Sequence, residues 1–245
     1  MNMSVKKPNI IYSSFPRSGS SSIDHILKQL LEPIGYFVTP FGIEGSASII
    51  SEIAGKKEPF YHWTHAHPGL FEPFLKNENY RFIYQYRDPR NAVVSWALKE
   101  IIEGNVLANF DLVRRSIIYS KYNLMEHMAR AREWIALDDR VCLLKFEKMK
   151  ENLEESLKKI LEFSDIATLI DSVLLESALT NVNRGYYRAR QKKEDARLTE
   201  LGLQRPAVHG LQSWEISFSS IDKLLFKKVA GDFLIELGYE SDFDW

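Results

Sequence analysis

The chain has 245 residues, of which 45% are hydrophobic, and this is enough apolar surface to build one core, so we expect one domain over residues 1–245. Lys and Arg number 32 against 33 Asp and Glu, and the net charge of -1 excludes a bulk electrostatic attraction to nucleic acid or to an anionic membrane. The single cysteine, Cys142, cannot form an intrachain disulfide, which favours the cytoplasm.

The predicted elements alternate between strands and helices along the chain. Short runs rich in β-branched and aromatic residues predict strands at 9–15, 60–66, 80–86 and 140–146. Apolar residues at helical spacing predict helices at 23–35, 89–102, 152–163 and 219–237. This order predicts an α/β fold with a mostly parallel sheet. The apolar stretch nearest the N-terminus, Ile10–Tyr12, is too short for a signal core, and we expect no transmembrane segment.

Two of these helices carry signals at their ends. Asp88 is the expected N-cap of the second helix, Pro89 its first residue, and Gly104 its C-terminal stop. The last helix is expected to begin at Ser219 or Ser220 and to end at Gly238. Its inward-facing residues are predicted to be Leu224, Leu225, Phe233, Leu234 and Leu237.

A block of small polar residues, Ser18–Ser22, separates the first predicted strand from the first predicted helix. Such a loop presents backbone N–H groups and the positive end of the helix dipole, which together favour a phosphate. Arg17 adds a guanidinium that helix capping does not require, although capping alone remains the simpler alternative for the serines. The loop lacks the lysine of a Walker A motif.

A second candidate phosphate site follows the strand predicted at 80–86. Arg87 at the end of this strand can bind a phosphate through its fork of donors, and Ser95, in the second turn of the following helix, offers a hydroxyl. The alternative is a surface salt bridge for Arg87 and an ordinary helix position for Ser95. Asp88 resembles a Walker B aspartate, but Pro89 after it favours an N-cap.

Several segments in the same order resemble motifs of the sulfotransferase family, over nearly the whole chain. "FPRSGSSS" at 15–22 resembles the 5′-phosphosulfate loop P-[KR]-[ST]-G-[ST]-[ST], and Arg87, Pro89 and Ser95 match the 3′-phosphate motif R-x-P-x-x-x-x-x-S. Thr64-His65 resembles the family's T-H pair at a strand end. "CLLKFEKMKEN", with Phe146 at the aromatic position, is similar to its Y-E-D-M-K segment, and "HGLQSW", with Gly210, to its R-x-G-x-x-G-x-W loop.

The resemblance implies a P-loop-type three-layer α/β/α fold with a mostly parallel central sheet, and sulfuryl transfer to a hydroxyl or amine without a metal. The implied donor is 3′-phosphoadenosine 5′-phosphosulfate (PAPS), whose product is 3′-phosphoadenosine 5′-phosphate (PAP). His65 is the implied base and Arg17 the group that neutralises the leaving oxygen. The implied donor-binding residues are Arg17, Ser18, Gly19, Ser20, Ser21 and Ser22 at the 5′-phosphate, Arg87 and Ser95 at the 3′-phosphate, Phe146 at the adenine, and Gly210.

The chain departs from the family pattern at three places. Ser22 lies where many members have a tryptophan that stacks on adenine, which leaves Phe146 or Trp214 as replacements. Trp63 lies where a lysine often precedes T-H. No Arg-Lys pair precedes Gly210, and Arg205 or the basic stretch 184–197 is the expected compensation. That stretch is predicted to be either a solvated helix face or a lid that supplies Arg184, Arg188 or Arg190.

Three histidines at 62, 65 and 67 raise the possibility of a metal site. Because side chains alternate along a strand, His65 and His67 share a face while His62 points away, so we expect no metal. His67 is the alternative base.

Two rival functions stay open: a divergent P-loop kinase and a nucleotide-binding module without catalysis. The acceptor is expected to be a small molecule, or a glycan or lipid, with a hydroxyl group, and the oligomeric state is not predicted.

Overall fold

The computed structural model describes residues 7–39, 55–103, 123–181, 187–200, 202 and 213–245. The fold divides into two compact units: Met1–Tyr86 with Arg130–Gly185, and Arg87–Ala129 with Tyr186–Trp245. The single domain over 1–245 stays a prediction.

The first unit contains one parallel sheet. Its strands are β1 (Asn9–Ser14), β2 (Phe37–Val38), β3 (Phe60–Thr64), β4 (Tyr80–Tyr86) and β5 (Val141–Lys145), in the order β2-β3-β1-β4-β5. The four predicted strands are confirmed, and among the strands that the structure describes only the two-residue β2 was not anticipated. Because all strands are parallel, their carboxyl ends meet at one edge, where ligands of open α/β sheets bind.

Helices account for most of the remaining described residues. In chain order they are α1 (Ser20–Leu31), α2 (Pro89–Ile102), α3 (Leu124–Ile135), α4 (Phe146–Glu151), α5 (Leu153–Phe163), α6 (Ser172–Asn181), α7 (Tyr187–Glu200), α8 (Ser213–Ser217) and α9 (Ser220–Glu236). None of these described helices combines the length and the apolar character needed to cross a membrane.

Side chains of the first unit cover both faces of the sheet. On one face, the apolar stripes of α1 and α5 pack with Ala178 of α6 against strand residues such as Tyr12, Tyr61 and Leu144. On the other face, Trp134 of α3 stacks on Tyr84 with ring centroids 5.6 Å apart and lies against Phe82. Helices on both faces of a parallel sheet form the predicted P-loop-type three-layer α/β/α fold.

The second unit confirms most of the predicted helix ends. Asp88 Oδ1 accepts a hydrogen bond from Arg90 N at 2.9 Å and caps α2, while Gly104 lies outside the described residues. Ser219 caps α9 through a capping box, in which its N–H donates to Asp222 Oδ2 at 2.9 Å and its hydroxyl accepts from Asp222 N at 3.2 Å. At the other end of α9, Gly238 adopts the left-handed conformation with φ 65°.

The predicted orientation of Leu224 is wrong. This side chain is 67% exposed, whereas Phe226, Ala230, Phe233 and Leu234 are buried. These four positions follow i, i+4, i+7 and i+8 and define the inward stripe of α9. Leu224 lies two residues before Phe226, which rotates it by about 200° around the helix, toward the outside.

A buried arginine joins α2 to the C-terminal segment of the second unit. The side chain of Arg90 is 3% exposed and donates to both carboxylate oxygens of Asp88, from Nε to Oδ1 at 3.0 Å and from Nη2 to Oδ2 at 2.7 Å. It also pairs with Glu240. Its guanidinium lies over the rings of Trp214 and Trp245, 4.0 and 4.7 Å from their centroids. Two carboxylates and two aromatic faces offset the cost of burying this charge.

Arg90→Met is expected to lower the free energy of unfolding by about 3 kcal/mol, because it leaves two carboxylates close together without their cation. Chemical denaturation monitored by tryptophan fluorescence measures this difference. Arg197→Met is the matched control, because Arg197 pairs with Glu200 on an exposed surface of the same unit. Equal, small losses in both variants would contradict a stabilising role for the Arg90 cluster.

Candidate active site

The loop after β1 begins with a tight turn. Ser18 N donates to Phe15 O at 3.2 Å, Pro16 is the second residue, and Arg17 is the third, with a positive φ of 66°. Proline at the second position and positive φ at the third are the pattern of a type II turn, in which glycine usually occupies the third position. Left-handed backbone in a residue other than glycine costs about 1–2 kcal/mol. The chain tolerates this strain while placing the partly exposed Arg17 at the entrance to the loop.

The first turn of α1 presents donors suited to an anion. Gly19 precedes the helix in a left-handed conformation with φ 81°, and this first turn contains no acidic residue. Ser18 N and Ser22 N are already engaged, with Phe15 O and with Gly19 O at 3.1 Å. The helix pattern gives no intrahelical acceptor to the N–H groups at its start, so Gly19, Ser20 and Ser21 are the donors available there.

Ser18 supplies a second sign of an anion site in the same loop. Its side chain is fully buried, and its Oγ has no hydrogen-bond partner within the part of the chain that the structure describes. A buried hydroxyl that stays unpaired costs about 1–3 kcal/mol. An acceptor such as a phosphate oxygen would remove this cost, so the residues present fit the 5′-phosphate that the sequence predicts here.

Phe146 lies directly against this loop. It is the first residue of α4, and a Cβ added to Gly19 would lie 2.6 Å from Phe146 Cε2. The absence of a side chain at Gly19 therefore permits the ring to approach. Of the other expected adenine neighbours, Ser22 is buried in α1, and Trp214 is buried in the second unit against Phe218, with ring centroids 5.8 Å apart.

His65 lies just beyond the carboxyl end of β3 with its ring held by β1. Its Nδ1 is 2.8 Å from Ser14 O and 3.0 Å from Ser14 Oγ. Since a carbonyl oxygen only accepts, the short contact to Ser14 O requires the proton on Nδ1 in the neutral ring, and Nε2 then carries the lone pair. Trp63 supports the same arrangement, because its Nε1 donates to Ser14 Oγ at 3.4 Å and its ring meets His65 edge to face at 5.8 Å.

The backbone around His65 is fixed by α3. Arg130 Nη1 donates to His65 O at 3.1 Å, and Trp134 Nε1 donates to Ala66 O at 3.0 Å. Ser13 Oγ donates to the same Ala66 carbonyl at 3.1 Å. Both carbonyl groups after β3 therefore have fixed directions, which limits the positions that the imidazole can adopt.

The three neighbouring histidines contact different partners. His62 Nδ1 is 2.6 Å from Thr39 Oγ1, whereas His67 Nδ1 is 3.8 Å from Glu133 at the surface. His65 contacts Ser14 instead. Among the described residues, no three His, Cys, Asp or Glu side chains are grouped as a metal site.

The predicted 3′-phosphate residues belong to the second unit. Arg87 follows Tyr86, the last residue of β4, and is 7% exposed. Ser95 is partly exposed in the second turn of α2.

Three of the other predicted donor-site residues, Gly210, Arg205 and Arg184, lie outside the described residues. Residues 187–197 of the basic stretch belong to α7, where Lys192, Lys193 and Arg197 are exposed, while the side chains of Arg188 and Arg190 lie outside the described part of the structure. The choice between a solvated helix face and a lid stays a prediction.

Sequence reasoning missed three residues that hold the site in place. Ser14 and Arg130 contact His65, and Gln85 contacts the loop after β1. Only Gln85 left a signal in the sequence, as a polar residue within the otherwise apolar and aromatic end of a buried strand. The other two act across 51 and 65 residues of chain.

Solved structures of other proteins share the fold of this chain. The chain is similar to the crystal structure of mouse sulfotransferase SULT7A1 complexed with PAP, at 18% identity and a TM-score of 0.66 over 95% of this chain and 87% of that chain. It is also similar to retinol dehydratase in complex with androsterone and inactive cofactor PAP, at 16% identity and a TM-score of 0.61 over 95% and 82%. At these identities the likeness shows the shared fold.

Sequence comparison identifies the family. Cytosolic sulfotransferase 14 of Arabidopsis thaliana is 28% identical over 122 residues, which are 46% of this chain and 35% of that protein. The chain thus spans about a third of the length of the curated relative that it matches. The family model described as the sulfotransferase domain matches residues 7–203, well over half of the chain. This chain is therefore a member of the sulfotransferase domain family.

Proposed function

We propose that this chain transfers a sulfuryl group from PAPS to the hydroxyl group of a small molecule. The observation that carries the proposal is the loop after β1, which combines a strained arginine, the open start of a helix and a buried serine hydroxyl without a described partner. Membership of the sulfotransferase domain family supports the same reaction.

In this proposal the loop binds the 5′ end of the donor. The N–H groups of Gly19, Ser20 and Ser21, with the hydroxyl of Ser18, hold the 5′-phosphate at the positive end of the α1 dipole. Arg17 donates to the oxygen that links phosphorus and sulfur, where negative charge develops as the bond breaks.

Arg87 and Ser95 bind the 3′-phosphate in the same proposal. ATP has a hydroxyl group at this position, so these two residues select PAPS over ATP. The low exposure of Arg87 supports the assignment, because a charge-assisted hydrogen bond is stronger where water is largely excluded.

His65 is the proposed base. As the acceptor oxygen forms its bond to sulfur, His65 Nε2 takes the hydroxyl proton, and the bond between sulfur and the 5′-phosphate oxygen breaks to release PAP. Arg17 stabilises the electron pair that stays on that oxygen. The other contribution of the chain is positioning, since in-line group transfer depends mainly on alignment and charge stabilisation.

The proposed acceptor is a small alcohol or phenol with an apolar skeleton. Its support is the partly exposed Trp63 ring, which lies beside His65 and offers an apolar surface next to the base. The proposed compartment is the cytoplasm, supported by the single cysteine.

The two rival functions have less support. A P-loop kinase requires a lysine in the phosphate loop, and residues 15–22 contain none. A binding module without catalysis requires no base, whereas Ser14 and Trp63 contact the ring of His65 and Arg130 bonds to its backbone oxygen.

His65→Ala is expected to lower kcat by about 100- to 10,000-fold and to leave the affinity for PAP unchanged, because it removes only the proton acceptor. Initial rates with radiolabelled PAPS and a panel of phenols and alcohols measure kcat. His67→Ala is the control, since His67 is exposed and pairs with Glu133. Loss of activity in His67→Ala alone would move the role of base to His67.

The wild-type chain is expected to bind PAP more tightly than ADP. Arg87→Ala is expected to lower the affinity for PAP about 10- to 100-fold and to leave the affinity for ADP unchanged. The reason is that only PAP has a 3′-phosphate. Isothermal titration calorimetry with both nucleotides tests this prediction. Equal or tighter binding of ADP by the wild-type chain would overturn the proposed donor.

Arg17→Gly and Arg17→Ala are expected to lower kcat alike, by at least about 100-fold, because both remove the charge at the leaving oxygen. They should differ in stability. Glycine adopts positive φ without strain, so Arg17→Gly should be more stable than Arg17→Ala by about 1 kcal/mol. Denaturant unfolding compares the two variants, and equal stability would show that the turn stores no strain at Arg17.

A further inference from the structure

Gln85 is a fully buried polar residue in β4 that bonds to the phosphate-binding loop at two points. Its side-chain Nε2 donates to Ser18 O, and its backbone oxygen accepts from Phe15 N at 2.8 Å. Its Oε1 accepts from the hydroxyl of Tyr12 in β1. One residue therefore holds both ends of the Phe15–Ser18 turn.

The chemistry of the partners fixes the orientation of this side-chain amide. Ser18 O is a carbonyl oxygen and only accepts, so the NH₂ group of Gln85 must face it. The hydroxyl of Tyr12 then donates to the remaining oxygen. Neither group of the amide can be exchanged without losing both hydrogen bonds, and all three residues are buried.

The bond to Ser18 O also determines the direction of a neighbouring donor. The carbonyl group of Ser18 and the N–H group of Gly19 belong to one planar trans peptide, in which they point in opposite directions. Because Gln85 holds the carbonyl toward β4, the Gly19 N–H must point away from β4. Gly19 N–H is one of the three donors proposed for the 5′-phosphate.

The same contacts hold Arg17 in its strained conformation. A backbone in the left-handed region persists when the surrounding structure fixes it. The turn has its own bond from Ser18 N to Phe15 O, and Gln85 adds one bond at each end. An apolar residue at position 85 would still fill the strand but would leave the Ser18–Gly19 peptide able to rotate.

We propose that Gln85 is the positioning residue of the 5′-phosphate loop, which acts by fixing the plane of the Ser18–Gly19 peptide and the turn that carries Arg17. The inference rests on the proposed function. Gln85 itself contacts no substrate; it sets the direction of groups that do.

The test compares the wild-type chain with Gln85→Met. Its measure is the 5′-phosphate increment, which is the dissociation constant of adenosine 3′-monophosphate divided by that of PAP. The two ligands differ only in the 5′-phosphate. Gln85→Met retains the length of the side chain but loses both hydrogen bonds of the side-chain amide, to Ser18 O and from the Tyr12 hydroxyl. We expect it to reduce the increment about tenfold and to leave the affinity for adenosine 3′-monophosphate unchanged. An equal loss of affinity for both ligands would leave the increment unchanged, and an unchanged increment would overturn the proposal.

Tyr12→Phe is the matched control, because it removes the other hydrogen bond of the same amide and leaves the bond to Ser18 O. It should lower stability while keeping most of the increment. A loss of the increment as large as in Gln85→Met would show that the loop responds to general loosening of the core, which contradicts a specific role for the Gln85 amide.

Gln85→Glu provides a second, independent measurement if Gln85→Met does not fold. An ionised carboxylate cannot donate to Ser18 O, but a protonated carboxyl group can. The increment of this variant relative to wild type should therefore be low at pH 8 and recover as the pH falls toward 5.5. A ratio that does not change with pH would count against the proposal.

Failure of the proposed donor can be told apart from failure of this inference. If the wild-type chain binds ADP as tightly as PAP, the donor assignment is wrong. The increment is then measured between adenosine and ADP, and its loss in Gln85→Met alone still shows that Gln85 positions the loop.

Discussion

The strained turn at the carboxyl end of the central strand is the constraint on which the rest of the site depends. Arg17 has a left-handed backbone, so its guanidinium projects from a position where glycine would normally lie. Both neighbours of β1 in the sheet contribute residues that hold this region. Gln85 from β4 bonds to the turn, while Ser14, the last residue of β1, bonds to His65 beyond β3. A parallel sheet brings these strand ends to one edge, which is why short contacts can connect residues far apart in the chain.

Buried polar groups have different energetic roles in the two units. In the second unit Arg90 is matched by two carboxylates and two aromatic rings, which offset the cost of burying its charge. In the first unit the buried hydroxyl of Ser18 has no partner among the described residues, so it lowers the stability of the chain alone. In the proposed function a phosphate oxygen supplies the partner that Ser18 Oγ lacks. The strain at Arg17 and the unsatisfied Ser18 hydroxyl both lower the stability of the chain alone.

Local signals predicted the elements that depend on local physics. Asp88 before Pro89 predicted the start of α2, and a serine at 219 or 220 predicted the start of α9, because capping bonds join residues two or three positions apart. The failure at Leu224 has the opposite cause: a leucine is apolar on either side of a helix, and only the neighbouring elements decide which side is buried. The two-residue strand β2 gave no pattern at all, since it exists by pairing with β3.

The sequence by itself determined the order of strands and helices and the position of the small-residue loop between the first strand and the first helix, because hydrophobic spacing, helix caps and the motifs around Arg17 and Arg87 are each properties of short stretches of chain. Only the tertiary structure decided how these groups are oriented. The proton on His65 Nδ1 depends on a carbonyl group 51 residues away, and the direction of Gly19 N–H depends on an amide 67 residues from Ser18. Such bonds arise from the strand order of the sheet, and no local pattern of residues encodes which side chain will meet which backbone group.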